Sequence, residues 1–128
     1  MINLALYGFA GSAAILHLLF FCLESLLWTH PVVRQIFKTG EEEARATKFL
    51  AFNQGFYNLF LALGAAAGLC LLGHAHDAAG RALLILSCGS MLGAALVLVS
   101  GGRNYLRGAL IQGLPPLLAL LALWISVR

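Results

Sequence analysis

The sequence predicts an all-α integral membrane protein, a four-helix bundle. Three observations carry this: an apolar composition, four apolar runs of spanning length, and basic residues confined to the connections and run ends. Hydrophobic residues make up 61% of the 128 residues and charged residues only 10%, with a mean hydropathy of +0.90. A soluble domain carries roughly 25% charged residues, and a short chain has proportionally more surface to cover with them. The shortfall ceases to matter if most of that surface faces lipid.

About 20 apolar residues cross the hydrocarbon core as a helix. Runs at 2–28, 49–72, 82–100 and 109–127 each supply them, within one transmembrane domain covering 1–128. The first run has no Lys or Arg before it and exceeds the ~7–15 residues of a signal-peptide core, so it is expected to persist as the first span. Between it and the second run lies a polar connection, Thr29 to Lys48. Its Glu41-Glu42-Glu43 run, with bases on both sides, fits a solvated amphipathic helix on the membrane surface. The second and third runs carry Gly64-x-x-x-Gly68 and Gly89-x-x-x-Gly93. Small residues four apart let membrane helices approach closely. In the fourth run Pro115 and Pro116 remove two backbone donors, which frees carbonyls near Ile111 and Gln112. Such a break needs cover from protein or water.

Six of the eight basic residues (Arg34, Lys38, Arg45, Lys48, Arg103, Arg107) lie in the first and third connections. Arg81 and Arg128 lie on the other side. The positive-inside rule then puts connections one and three in the cytoplasm and both termini outside, in a bacterial cytoplasmic (inner) membrane. Trp28 and Trp124 fall near span ends, where aromatic belts form. The bilayer is thus the first partner expected, and a homo-oligomer is compatible with it. A net charge of +3 is too small and scattered for a nucleic-acid footprint. Cys22, Cys70 and Cys88 each sit inside an apolar run without a CxxC spacing, so they read as small buried hydrophobes.

Polar residues inside the spans are costly and therefore informative. His17 and Glu24 are two helical turns apart on one face of the first helix, with Trp28 four residues further on. Glu24 lies roughly 7–8 Å from the cytoplasmic end of its span at 1.5 Å per residue. The second helix enters from that side with Asn53-Gln54-Gly55-Phe56-Tyr57-Asn58, and the fourth places Gln112 one turn in. Three helices thus offer polar groups at similar depth, whereas the outer halves of helices two to four are almost wholly apolar. The asymmetry points to a polar pocket opening inward. Singly, Asn, Gln and Tyr in membrane helices often just bond neighbouring helices, at roughly 0.6 kcal/mol each.

His74-Ala75-His76-Asp77 in the outer loop has metal-ligating side chains, but three within four residues make a poor site without further ligands. No metal and no cofactor is expected. Ser12, Ser87, Ser90 and Ser100 have no paired base in sequence, and neither a nucleophile elbow nor a phosphate loop occurs.

His17, Glu24 and Trp28, the run Asn53 to Asn58, and Gln112-Gly113-Leu114-Pro115 with Leu118-Ala119-Leu120 resemble a known family of small bacterial membrane proteins. It is catalogued as domain of unknown function 1304. The resemblance covers nearly the whole chain and implies four membrane helices, but no activity. Where family members carry a Gly/Thr-containing segment after the third helix, this chain reads Ser100-Gly101-Gly102-Arg103-Asn104-Tyr105-Leu106-Arg107. Its two arginines fit a topology signal, or an anionic group at a pocket mouth.

Three functions fit these residues. The first is an enzyme acting on a small lipophilic molecule by proton transfer, as in isomerisation, cyclisation or epoxide opening. Glu24 and His17 would be its acid–base pair. Trp28, Asn53, Gln54, Tyr57, Asn58 and Gln112 would bind and orient the substrate. The second is a proton-coupled carrier, which with four helices would have to dimerise. The third is a non-catalytic binding or assembly subunit whose polar cluster only fixes helix register.

Overall fold

The computed structural model describes residues 4–126. Among them the chain is helical throughout, with no strand. The long helices are α1 (Leu4–Phe21), continued by a π-helical segment (Cys22–Leu26), α4 (Lys48–Leu71), α5 (Asp77–Ser100) and α6 (Leu106–Ser126). Two short helices, α2 (Pro31–Phe37) and α3 (Glu41–Ala46), form the first connection, and a 3-10 turn (Arg103–Tyr105) leads into α6. Four stretches are long and apolar enough to cross a membrane: Leu4–Leu26, Lys48–Leu71, Asp77–Ser100 and Arg103–Ser126. The expected starts and ends at 2 and 127 lie outside the described residues.

Each long helix packs on two neighbours, α1 on α4 and α6, and α5 on α4 and α6, so the four close into a ring. Each buries one narrow stripe. In α1 it is Leu6, Ala10, Ala13 and His17, spaced by four, three and four. In α4 it is Ala51, Gly55, Ala62, Ala65 and Gly68. These spacings put the residues on one helix face. Most of the stripe residues are small, which brings backbones close. Large aliphatic side chains such as Ile15, Leu63, Ile85 and Val97 point outward and are more than half exposed. A water-soluble domain would bury such side chains, whereas lipid solvates them.

The third span starts earlier than the expected residue 82, because its polar first turn is internally satisfied. Asp77 accepts from the Gly73 N–H (2.8 Å) and from Arg81 Nε (2.6 Å), and Arg81 reaches Ser126 Oγ on α6 at 3.3 Å. The proline pair does not end α6, which runs unbroken through Pro115 and Pro116. Pro116 is fully buried against the neighbouring helices. Nor do both glycine pairs make contacts. Gly64 and Gly68 face α5, but a Cβ at Gly89 or Gly93 would meet nothing within 4 Å. The glycine that matters on α5 is Gly80. A Cβ there would lie 2.8 Å from the Gly68 carbonyl oxygen.

Candidate functional site

Besides the Arg81–Ser126 bond between α5 and α6, side-chain hydrogen bonds between the long helices gather at the α1–α4 seam. α1 widens at its end, where the Leu27 N–H bonds the Cys22 carbonyl at 3.2 Å, five residues back. This π segment turns Ser25 onto α4, where its hydroxyl donates to the Phe52 carbonyl at 2.9 Å. Gly55 makes the approach feasible. A Cβ on it would lie 3.0 Å from the Ser25 nitrogen. One residue earlier, Glu24 Oε2 accepts from Asn58 Nδ2 at 2.7 Å. Above them Phe21 of α1 meets Phe56 of α4 edge-on at 5.2 Å, and Phe56 also contacts Phe52 and Phe60. The seam therefore sets a carboxyl–amide pair beside an aromatic ladder. Single-turn π segments inside α-helices are rare and frequent at functional sites.

His17 is buried, at 3% exposure. Its Nδ1 lies 2.9 Å from the Ala13 carbonyl oxygen. A carbonyl only accepts, so Nδ1 carries a proton, and whenever the ring is neutral Nε2 is an acceptor. Among the described residues neither His17 Nε2 nor Glu24 Oε1 has a hydrogen-bond partner. Among the described residues Arg34 Nε alone is a sealed, unpartnered side-chain nitrogen or oxygen.

The remaining residues singled out in the sequence are dispersed. At about 100° per residue, Asn58 falls within the packed stripe of α4, while Asn53 falls on the opposite side. Asn53, Gln54 and Tyr57 are exposed, and of these Gln54 touches the pair only through its backbone carbonyl, which lies 3.4 Å from Asn58 Nδ2. Trp28 turns away to the connection, where Nε1 donates to Thr47 Oγ1 at 3.1 Å and the indole lies against Phe37. Gln112 is half-buried on α6 and makes no bond to the Glu24–Asn58 pair. The structure thus joins Glu24 directly to Asn58 and places His17 in the interior. It leaves Asn53, Gln54, Tyr57 and Trp28 outside that group. Ser25, Gly55, Phe21 and Phe56 are the additions. Only Gly55, a small residue amid large ones, carried a sequence signal.

The loop between α4 and α5 has no such convergence. His74 and His76 are exposed, and both Asp77 oxygens are engaged as described. Among the described residues no three His, Cys, Asp or Glu side chains gather in a way that could hold a metal.

The Glu24–Asn58 bond predicts its own effect. Asn58→Leu leaves the carboxyl without its donor, and hydrogen bonds between membrane helices contribute about 0.6 kcal/mol on average and up to about 1.7 kcal/mol. A drop of about 1.5 kcal/mol in detergent stability is expected, against a change within about 0.5 kcal/mol for Asn53→Leu at its exposed position. Equal effects from the two would contradict the pairing.

The family model described as Protein of unknown function (DUF1304) matches residues 11–124. The chain belongs to that family. No curated protein and no solved structure matches it.

Proposed function

We propose that this DUF1304-family chain is a multi-pass protein of a bacterial inner membrane that acts on a small lipophilic molecule by proton transfer at the α1–α4 seam. One observation carries the proposal: Glu24, hydrogen-bonded to Asn58, is an ionisable side chain within a stretch otherwise apolar enough to span a membrane. Such a group is expensive to keep in a bilayer and by default marks a site. Glu24 serves as acid or base, with one carboxyl oxygen held by Asn58 and the other open to a substrate. His17 Nε2 is the second proton acceptor. The Phe21, Phe52, Phe56 and Phe60 rings offer apolar surface to a lipophilic substrate. Isomerisation, cyclisation and epoxide opening are the reaction types that such a pair can run by moving protons alone.

A second role, fixing helix register without catalysis, is favoured by the same bond because it ties α1 to α4. Glu24→Gln in proteoliposomes carrying an internal pH-sensitive dye and supplied with a total lipid extract separates the roles. Loss of conversion of a lipid-soluble species supports the enzyme, and loss of substrate-driven proton entry supports a carrier. A lowered thermal midpoint alone supports the register role.

The orientation follows from six basic residues on one side and two on the other. Single cysteines at Glu42 and His76, both exposed, should react with a membrane-impermeant maleimide from opposite sides, with Glu42 in the cytoplasm. Labelling of both from one side contradicts this topology.

A further inference from the structure

We propose that Arg34 on α2 and Lys38 at its C-cap form a site for the phosphate of an anionic phospholipid headgroup. The proposal rests on membrane residence but not on any role of Glu24.

α2 presents three distinct faces. Val33, at 3% exposure, and Phe37, against Trp28, face inward. Val32 and Ile36, one turn apart, are 56% and 58% exposed. Pro31, Arg34, Gln35 and Lys38 make the third face, and with Thr39 and Gly40 they line an open cleft of about 410 Å³. The chain folds back to close it. Lys38 adopts a left-handed conformation (φ 54°, ψ 42°), and the N–H of Thr39 bonds the Arg34 carbonyl at 2.9 Å. Two cationic side chains therefore line a cleft whose lining holds no carboxylate.

Among the described residues the carboxylate within ion-pair reach of Arg34 is Glu41, and it is already shared. Glu41 makes its close contact with Arg45, and Arg34 Nη2 reaches its other oxygen only at 3.7 Å. That spacing is too long for a hydrogen bond. Glu42 and Glu43 are exposed on α3 and do not line the cleft. The Arg34 guanidinium is thus ion-paired with Glu41 but not hydrogen-bonded to it, and with Nε sealed it is the edge of its two terminal nitrogens that is left to meet a phosphate.

Position selects the source of that phosphate. α2 lies between two spanning helices, so it rests at the membrane face. Val32 and Ile36 form an exposed apolar strip beside the cationic one, the arrangement that seats a helix at a lipid–water boundary. With that strip on acyl chains, the cleft meets the headgroups, and long basic side chains extend to them.

The test uses the full chain in detergent. Native mass spectrometry reads retention of phosphatidylglycerol against phosphatidylcholine with the same acyl chains. Preferential retention of phosphatidylglycerol is expected, falling about fivefold for each of Arg34→Gln and Lys38→Asn. Asn tolerates the left-handed turn, so Lys38→Asn tests the charge even if Arg34→Gln misfolds. Arg103→Gln removes an equal charge outside the cleft and should leave the preference intact. Equal retention of the two lipids would overturn the proposal. So would an equal loss in Arg103→Gln, or displacement of the lipid by millimolar inorganic phosphate at constant ionic strength.

Discussion

Under the proposed proton-transfer role, Glu24→Gln is expected to slow conversion of a lipophilic substrate by about 10²–10⁴-fold, the usual contribution of a positioned acid or base. Its effect on stability should be small. The glutamine carbonyl occupies the place of Oε2 and still accepts from Asn58 Nδ2, now 2.7 Å from the carboxylate. Shape and hydrogen bond are kept, and only the capacity to carry a proton is lost. That separation makes the variant informative, because a residue needed merely for packing would show the reverse. Circular dichroism and thermal unfolding in detergent check the second half of the expectation. A fall in midpoint as large as that of Asn58→Leu would assign Glu24 to helix packing.

Gly80→Leu should be the most damaging single change outside the seam, at about 3 kcal/mol, the upper part of the range for overpacking. A Cβ at Gly80 would stand 2.8 Å from the Gly68 carbonyl oxygen and 3.0 Å from Leu71 Cβ. The first of these is backbone and cannot rotate aside, so α4 and α5 would have to separate. Gly68 has the reciprocal constraint, with a Cβ falling 2.9 Å from the Gly80 carbonyl oxygen. Gly89→Leu is the matched control, since nothing lies within 4 Å of a Cβ there. It should leave the midpoint unchanged or raise it slightly, as Gly is a poor helix former. Similar midpoints for the Gly80 and Gly89 variants would contradict the close α4–α5 contact.

The same glycines mark where sequence ceases to be sufficient. Four spans were legible because hydropathy sums over about 20 residues and does not depend on which face turns inward. Gly89-x-x-x-Gly93 fits the small-residue spacing as well as Gly64-x-x-x-Gly68 does, yet only the second faces a partner. Helix rotation decides this, and a uniformly apolar span such as α5 gives little periodicity to read it from. The candidate site divides in the same way. Glu24, His17 and Asn58 were each visible as costly polar residues. The pairing of Glu24 with Asn58, and the turning of Asn53 away from it, depend on the packed face of α4. The π segment that sets Ser25 on Gly55 has no signature in its five residues. Asp77 and Arg81 hid the true start of α5, because a run counted by hydropathy stops at charges that pair with each other.

The central claim is that proton transfer to a lipophilic molecule occurs at Glu24. It is tested most directly by incubating proteoliposomes of the wild type and of Glu24→Gln with a total lipid extract in deuterium oxide, and reading the extract by mass spectrometry. The wild type should place solvent deuterium on carbon in at least one lipid-soluble species, and Glu24→Gln should slow that labelling by about 100-fold or more. Labelling at the same rate with both proteins, or with neither above empty vesicles, would contradict the claim.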